Sequence, residues 1–256
     1  MSQSRLQRVL IATALCMLLL AAAGAPWAAA QEDNTGKAQR VSLLETVKKG
    51  GTIGYLIVLL SIAAVSLAVE HAVNIRRSKL MPMPTVLQIR TLIKKRDFQD
   101  LRDFCEEDRS FVAKIIGAAM SEPRSSYEEI EDAMMESGSD QTAKLYRKIE
   151  YLSLIGNIAP MLGLLGTVVG MIQSFNTIER TGGFAKPAEL AGGISKALIT
   201  TCMGLIVAIP VLIIYVYFRN KVEELSTEVA EVGEELMKPI RQRAYHDDDD
   251  DEEEEE

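Results

Sequence analysis

The sequence predicts an all-α membrane protein: three transmembrane helices with long cytoplasmic helical extensions. Three observations carry that expectation. Apolar runs over 53–69, 151–175 and 194–218 are each long enough to cross a hydrocarbon core of about 30 Å, the first only just. The stretches between and after them repeat apolar residues at helical spacing with charges in between. No strand pattern of any strength competes with that period.

At the N-terminus, Arg5 and Arg8 precede an apolar stretch from Val9 to Ala23, and Ala28, Ala29 and Ala30 stand before Gln31. A basic start, a short apolar region and a small-residue site describe a secretory signal peptide over 1–30. Two other readings of this stretch stay open, an uncleaved fourth helix and a lipid anchor on Cys16, which Leu15 suits poorly. Residues 31–52 then form a periplasmic segment, and the topology is the same with or without cleavage.

The first span, 53–69, holds no charge. Arg76, Arg77 and Lys79 follow it, Lys144, Arg147 and Lys148 precede the second span, and Arg219 and Lys221 follow the third. Basic flanks stay inside, so these three belong in the cytoplasm and the loop 176–193 faces outside.

Residues 70–150 read as a cytoplasmic helical region. Pro82 and Pro84 break the chain, after which Val86, Ile89, Leu92, Ile93, Leu101, Phe104 and Cys105 recur at helical spacing. Ser121 to Ser126, with Pro123, marks a second break, and Ser126-Tyr127-Glu128-Glu129 resembles a capping box. The next helix then runs through Ile130, Met134, Leu145 and Ile149 into the second span, with Gly138 as its weak point. After the third span, 219–245 continue as a cytoplasmic helix through Val222, Leu225, Val229, Val232 and Leu236 to a stop at Pro239.

The net charge of −8 misleads, because Asp247 to Glu256 contribute ten negative charges and leave the rest at +2. That run has no apolar residue for a core, so 246–256 are expected to be a disordered acidic tail. Three cysteines (Cys16, Cys105 and Cys202) make no disulfide framework, and His71 and His246 cannot assemble a metal cluster within one chain. No cofactor and no nucleic acid partner is expected. The lipid bilayer is.

The second and third spans carry polar and small residues that lipid would penalise unless they pack or line a path. Thr167 lies eight residues below Phe175 and Thr201 seven below Ile194, so both sit roughly 10–12 Å beneath the outer boundary. Neighbouring helices would bring the two hydroxyls into one polar ring; alternatively each bonds a carbonyl one turn back on its own helix. Gly163, Gly166 and Gly170 form one small-residue stripe, and Ala197, Thr201, Gly204 and Ala208 form another. Asn157, Gln173 and Thr200 add polar atoms that could line a path, and Pro160 and Pro210 are expected to kink the helices. No span contains Asp or Glu, and Lys196 is the only charge inside one, able to snorkel to the headgroups. A proton relay generally uses an ionisable carboxylate or histidine, so if this chain conducts protons a partner must supply that group.

The residues Gly-Asn-Ile-Ala-Pro-Met-Leu-Gly-Leu-Leu-Gly-Thr-Val-Val-Gly-Met, followed by Gly-Gly-Ile-Ser-Lys-Ala-Leu-Ile-Thr-Thr-Cys-Met-Gly-Leu-Ile-Val-Ala-Ile-Pro, resemble the MotA/TolQ/ExbB proton channel family, its ExbB branch in particular. The match is specific over 150–218 and faint elsewhere. The resemblance implies a ring-forming, three-span subunit of the inner membrane, a pentamer around two copies of a single-span ExbD-like or TolR-like partner. That partner carries a membrane aspartate, and the ring threonines facing it match Thr167 and Thr201. A TonB-like protein is the further partner such a system implies. One departure stands out: where ExbB and TolQ commonly have glutamate in Gly-Ile-Ala-Glu-Ala-Leu, this chain has Lys196.

The expected function is a motor subunit driven by the proton motive force, in which protonation of the partner's carboxylate releases it from the ring. A non-conducting scaffold that recruits partners through its cytoplasmic helices is the alternative. An enzyme is the weakest option, since Ser153 and Ser195 lack a histidine base and no metal-ligand spacing occurs.

Overall fold

A computed structural model describes residues 43–120 and 127–254. The expected signal peptide, residues 31–42, the break at 121–126 and the last two acidic residues lie outside them. Among the described residues every regular element is a helix: α1 (Leu43–Asn74), α2 (Arg77–Leu80), α3 (Met83–Lys95), α4 (Phe98–Glu107), α5 (Phe111–Met120), α6 (Tyr127–Arg180) and α7 (Pro187–Glu254). Three of them, α1, α6 and α7, contain stretches long and apolar enough to cross a membrane. The protein is an all-α membrane protein.

Helix α1 begins before the expected span and breaks at Gly51, whose φ of 61° and ψ of −151° lie in a region open essentially to glycine alone. Helix α6 runs unbroken through Gly138, as the apolar period predicts. Glycine costs a helix about 1 kcal/mol, and the packing of Ile130, Met134 and Leu145 against a common core outweighs it. Helices α6 and α7 also stay helical through Pro160 and Pro210.

Pro239 does not stop α7, which continues to Glu254 and takes the acidic run with it. The expected stop fails because Leu236 and Met237 are buried and Ile240 packs on the same core, holding the turns on either side of the proline in place. No glycine or further proline follows. A formed helix then propagates without a new nucleation step.

The chain divides into two compact units. In the first, α1 through Ala72 joins residues 150–216 of α6 and α7, and Ala64, Ala68, Leu152, Ile155 and Val211 form its core. The second comprises 73–149 and the chain from Tyr217 onward. Its core includes Ile89, Leu101, Ile116, Val229 and Met237. The apolar period of α3 and α4 points inward as expected, burying Val86, Ile89, Ile93, Leu101 and Cys105.

Local chemistry fixes the short helices of the second unit. Arg96 closes α3 in the left-handed conformation, and the Asp97 carboxylate accepts from the Asp100 amide at the start of α4. Ser110 begins α5, its Oγ accepting from the Ala113 amide at 3.3 Å. Asp108 accepts from Thr85 Oγ1 at 2.6 Å and from the Ser110 amide at 2.7 Å, tying α3 to the α4–α5 turn. Arg77 pairs with Glu228 and Arg90 with Glu235. These ion pairs are exposed, so each is worth about 0–1 kcal/mol and the apolar core does most of the holding.

Candidate functional site

Helices α6 and α7 form an antiparallel hairpin closed by residues 181–186, where Gly182 and Gly183 take positive φ. Small residues let the two backbones meet along its length. A β-carbon at Gly163 would lie 3.0 Å from the Thr201 Cα, one at Gly170 would lie 2.7 Å from the Gly193 carbonyl, and one at Gly204 would lie 2.6 Å from the Ala159 carbonyl. Gly166 seats the Thr200 side chain, which is 1 % exposed. Ala197 and Ala208 are buried in the same seam. The stripes expected from the sequence therefore face each other.

Within this seam Thr201 makes a bond between helices. Its Oγ1 donates to the Gly163 carbonyl at 3.1 Å and more weakly to Ala197, on its own helix, at 3.4 Å. Thr200 donates only within α7, to Ala197 at 2.8 Å and Lys196 at 3.3 Å. Thr167 lies beside the seam, half-buried, and donates to the Leu164 carbonyl of its own turn at 2.6 Å. Because Thr201 is level with Gly163, Thr167 stands about 6 Å of helix rise nearer the α6–α7 turn. The two hydroxyls are thus about a turn apart in height rather than at one depth. Each commits its proton to a carbonyl and keeps oxygen lone pairs free to accept.

The remaining polar candidates separate. Asn157 is exposed and donates to the Ser153 carbonyl at 2.8 Å, on its own helix. Gln173 stands near the turn end, where its Oε1 accepts from Lys196 Nζ at 3.2 Å. The lysine's methylene tail rests on Gly51, and a β-carbon there would lie 2.9 Å from its Cε. Lys196 therefore touches all three membrane helices near one end of the first unit.

Ser174 was not anticipated. It is 6 % exposed and donates to Gly170 at 3.2 Å and to Leu190, across the hairpin, at 3.3 Å. Its spacing of four from Gly170 continues the stripe, which is the signal that could have found it. Gly193, which faces it, stands four residues before Ala197 and continues the second stripe in the same way, whereas Gly192 beside it has nothing within 4 Å. Among the described residues no group of three or more His, Cys, Asp or Glu could hold a metal ion.

Comparison with known proteins decides what this hairpin belongs to. A sequence profile described as the MotA/TolQ/ExbB proton channel family matches residues 105–231, which contain the whole seam. The biopolymer transport ExbB-like 1 protein of Synechocystis is 31% identical over 201 residues, covering 77% of this chain and 79% of the relative. The chain belongs to the MotA/TolQ/ExbB proton channel family.

Another MotA/TolQ/ExbB relative, the biopolymer transport ExbB homolog of Methanothermobacter thermautotrophicus, is 32% identical over 185 residues. That match covers 72% of this chain and 65% of the relative's length. The biopolymer transport protein exbB1 of Vibrio cholerae is 47% identical over 62 residues, 24% of this chain and 27% of its own. A chain in the structure of C. jejuni MotAB covers 92% of this one at 19% identity with a TM-score of 0.48, too loose a likeness to argue from. The MotA/TolQ/ExbB family is one of proton channels, a transport class rather than an enzyme class.

Proposed function

We propose that this chain is the ExbB/TolQ-like subunit of an inner-membrane motor that couples the proton motive force to work across the periplasm, such as TonB-dependent transport. The observation that carries the reading is the Thr201 to Gly163 bond, a polar contact at the centre of a hairpin whose spans hold no carboxylate. Such a hairpin offers a carboxyl group hydrogen-bond partners and supplies no carboxylate of its own. The titrating group then belongs to a single-span ExbD/TolR-like partner with a membrane aspartate, enclosed by a ring, a pentamer, of this chain. The N-terminus lies in the periplasm after removal of residues 1–30, and the second unit lies in the cytoplasm.

The hydroxyl geometry supports a switch. At rest Thr167 donates to Leu164, and Thr201 donates to Gly163 and Ala197. An ionised carboxylate competes for these protons, because a charge-assisted bond is roughly twice as strong as a neutral one. Protonation removes that advantage, the hydroxyls return to their carbonyls and the acid is released. Repeated capture and release moves the partner.

Purification from membranes in mild detergent, with mass spectrometry of the intact assembly, tests the proposal. The expected result is a multi-copy ring that brings down a single-span protein with a membrane aspartate. A chain that purifies without any acid-bearing partner overturns it. One observation favours a second reading, the non-conducting scaffold: both threonine protons are already satisfied by backbone. The scaffold predicts that a Thr167→Val, Thr201→Val double variant keeps full activity, whereas the motor predicts its loss.

A further inference from the structure

The mouth of the hairpin carries a charge that the switch above does not use. Lys196 is half-buried, with its ammonium on Gln173 Oε1 at 3.2 Å and its tail in the niche that the side-chain-free Gly51 leaves at the break of α1. A lysine free to snorkel would extend toward the headgroups. This one is turned instead across the bundle to its two neighbouring helices, and the positive φ of Gly51 keeps other residues out of the niche.

We infer that Lys196 is a positioning residue that sets the pH range of the path, its positive charge opposing protonation of the carboxylate that the threonines capture. The inference rests on the proposed channel reading. Lys196 stands five residues from Thr201 on the same helix, about 7.5 Å of rise. Within the spans no Asp or Glu is present to neutralise it. Along the sequence of the elements that touch it, the closest charged positions are Lys48 and Lys49, before Gly51 on α1, Glu179 and Arg180, six and seven residues beyond Gln173 on α6, and Glu189, seven residues before Lys196 on α7. The positive end of this set lies closest in sequence to the niche. Where water is largely excluded, one unit charge at about 10 Å displaces a titration by about one pH unit.

The test uses the complex purified with its partner and reconstituted in liposomes carrying a pH-sensitive dye. Proton uptake is measured against outside pH for the wild type, Lys196→Gln and Lys196→Arg. Glutamine can still bond Gln173, and arginine keeps the charge. The expected result is that Lys196→Gln moves the midpoint of the pH profile upward by about one unit, because the neutral variant lets the carboxylate hold its proton to higher pH, while Lys196→Arg leaves it in place. Unmoved midpoints in both variants, or a fall in amplitude alone, overturn this inference and leave the channel reading intact. No uptake by the wild type at any pH overturns the channel reading itself, and this inference with it.

Discussion

Gly166 lies so close to Thr200 that a β-carbon at position 166 would fall within 2.5 Å of the threonine Cβ. The contact belongs to the interior of one subunit and can be tested apart from any ring. Overpacking a tight contact costs about 1–3 kcal/mol, so Gly166→Val should lower the thermal unfolding temperature of the detergent-solubilised chain. Gly192, with nothing within 4 Å, is the control. Gly192→Ala should leave that temperature unchanged or raise it, since alanine is the better helix former by about 1 kcal/mol.

Thr201→Val removes one bond between helices, and such bonds in membranes average about 0.6 kcal/mol. That is too little to dismantle the hairpin. The variant is expected to assemble normally by size-exclusion chromatography and to lose proton uptake in the reconstituted complex, whereas Thr201→Ser retains both. Normal uptake by the valine variant would show that the hydroxyl only packs.

Gly51→Ala meets two obstacles at once, a backbone conformation that other residues avoid and the Lys196 methylenes at 2.9 Å. The strained conformation alone costs about 1–3 kcal/mol. Thermal unfolding should therefore begin earlier in this variant. Pairing it with Lys196→Ala, which empties the niche, should recover only part of the loss, because the backbone strain remains.

The Cys105 thiol, outside the membrane helices, is pushed up to about 12, by burial first and by the neighbouring Asp108 second. Few thiolates are present at neutral pH, and the thiolate is the nucleophile. A maleimide should leave Cys105 unmodified in the folded protein at pH 7.5 and react with it once denaturant opens the second unit. Mass spectrometry of the Cys105 peptide reads the outcome directly.

Burial alone would raise the Asp108 carboxyl, but the bonds donated by Thr85 and by the Ser110 amide and hydroxyl outweigh it and hold the group below its ordinary value. A lowered folded value means that these bonds contribute fully above the unfolded value, near pH 4, and that the contribution is lost as pH falls through the folded value. The second unit should therefore loosen at pH 3, read as Cys105 becoming open to an acid-tolerant thiol reagent such as a pyridyl disulfide. Thr85→Val removes one of the bonds and should bring that loosening to higher pH.

Much of the hairpin was legible in the sequence because its contacts depend on residue size alone. Gly163, Gly166 and Gly170 recur every three or four positions, as do Ala197, Thr201, Gly204 and Ala208, and that spacing puts each set on one face of its own helix whatever the helix meets. What depends on the neighbour was not legible. The bond of Lys196 to Gln173 requires knowing that α6 and α7 are adjacent and in which register, and no local pattern states either. The depths of Thr167 and Thr201 were counted from apolar ends, which mark a lipid boundary loosely, and the contact of Thr201 with Gly163 corrected them by about one turn. Local propensity makes Pro239 a stop, and burial of Leu236 and Met237 overrides it. The second unit followed its apolar period closely, as expected where each buried position is set by the helix repeat.

The three spans carry no carboxylate, and on the proposed reading that has a consequence for how a cell manufactures the machine. A subunit able to leak by itself would drain the membrane during every interval between its own synthesis and that of its partner. This one is inert until the second component arrives, so it can be made early, in excess or in uneven ratio without discharging the cell. Overexpression of the chain alone should leave growth and membrane potential untouched.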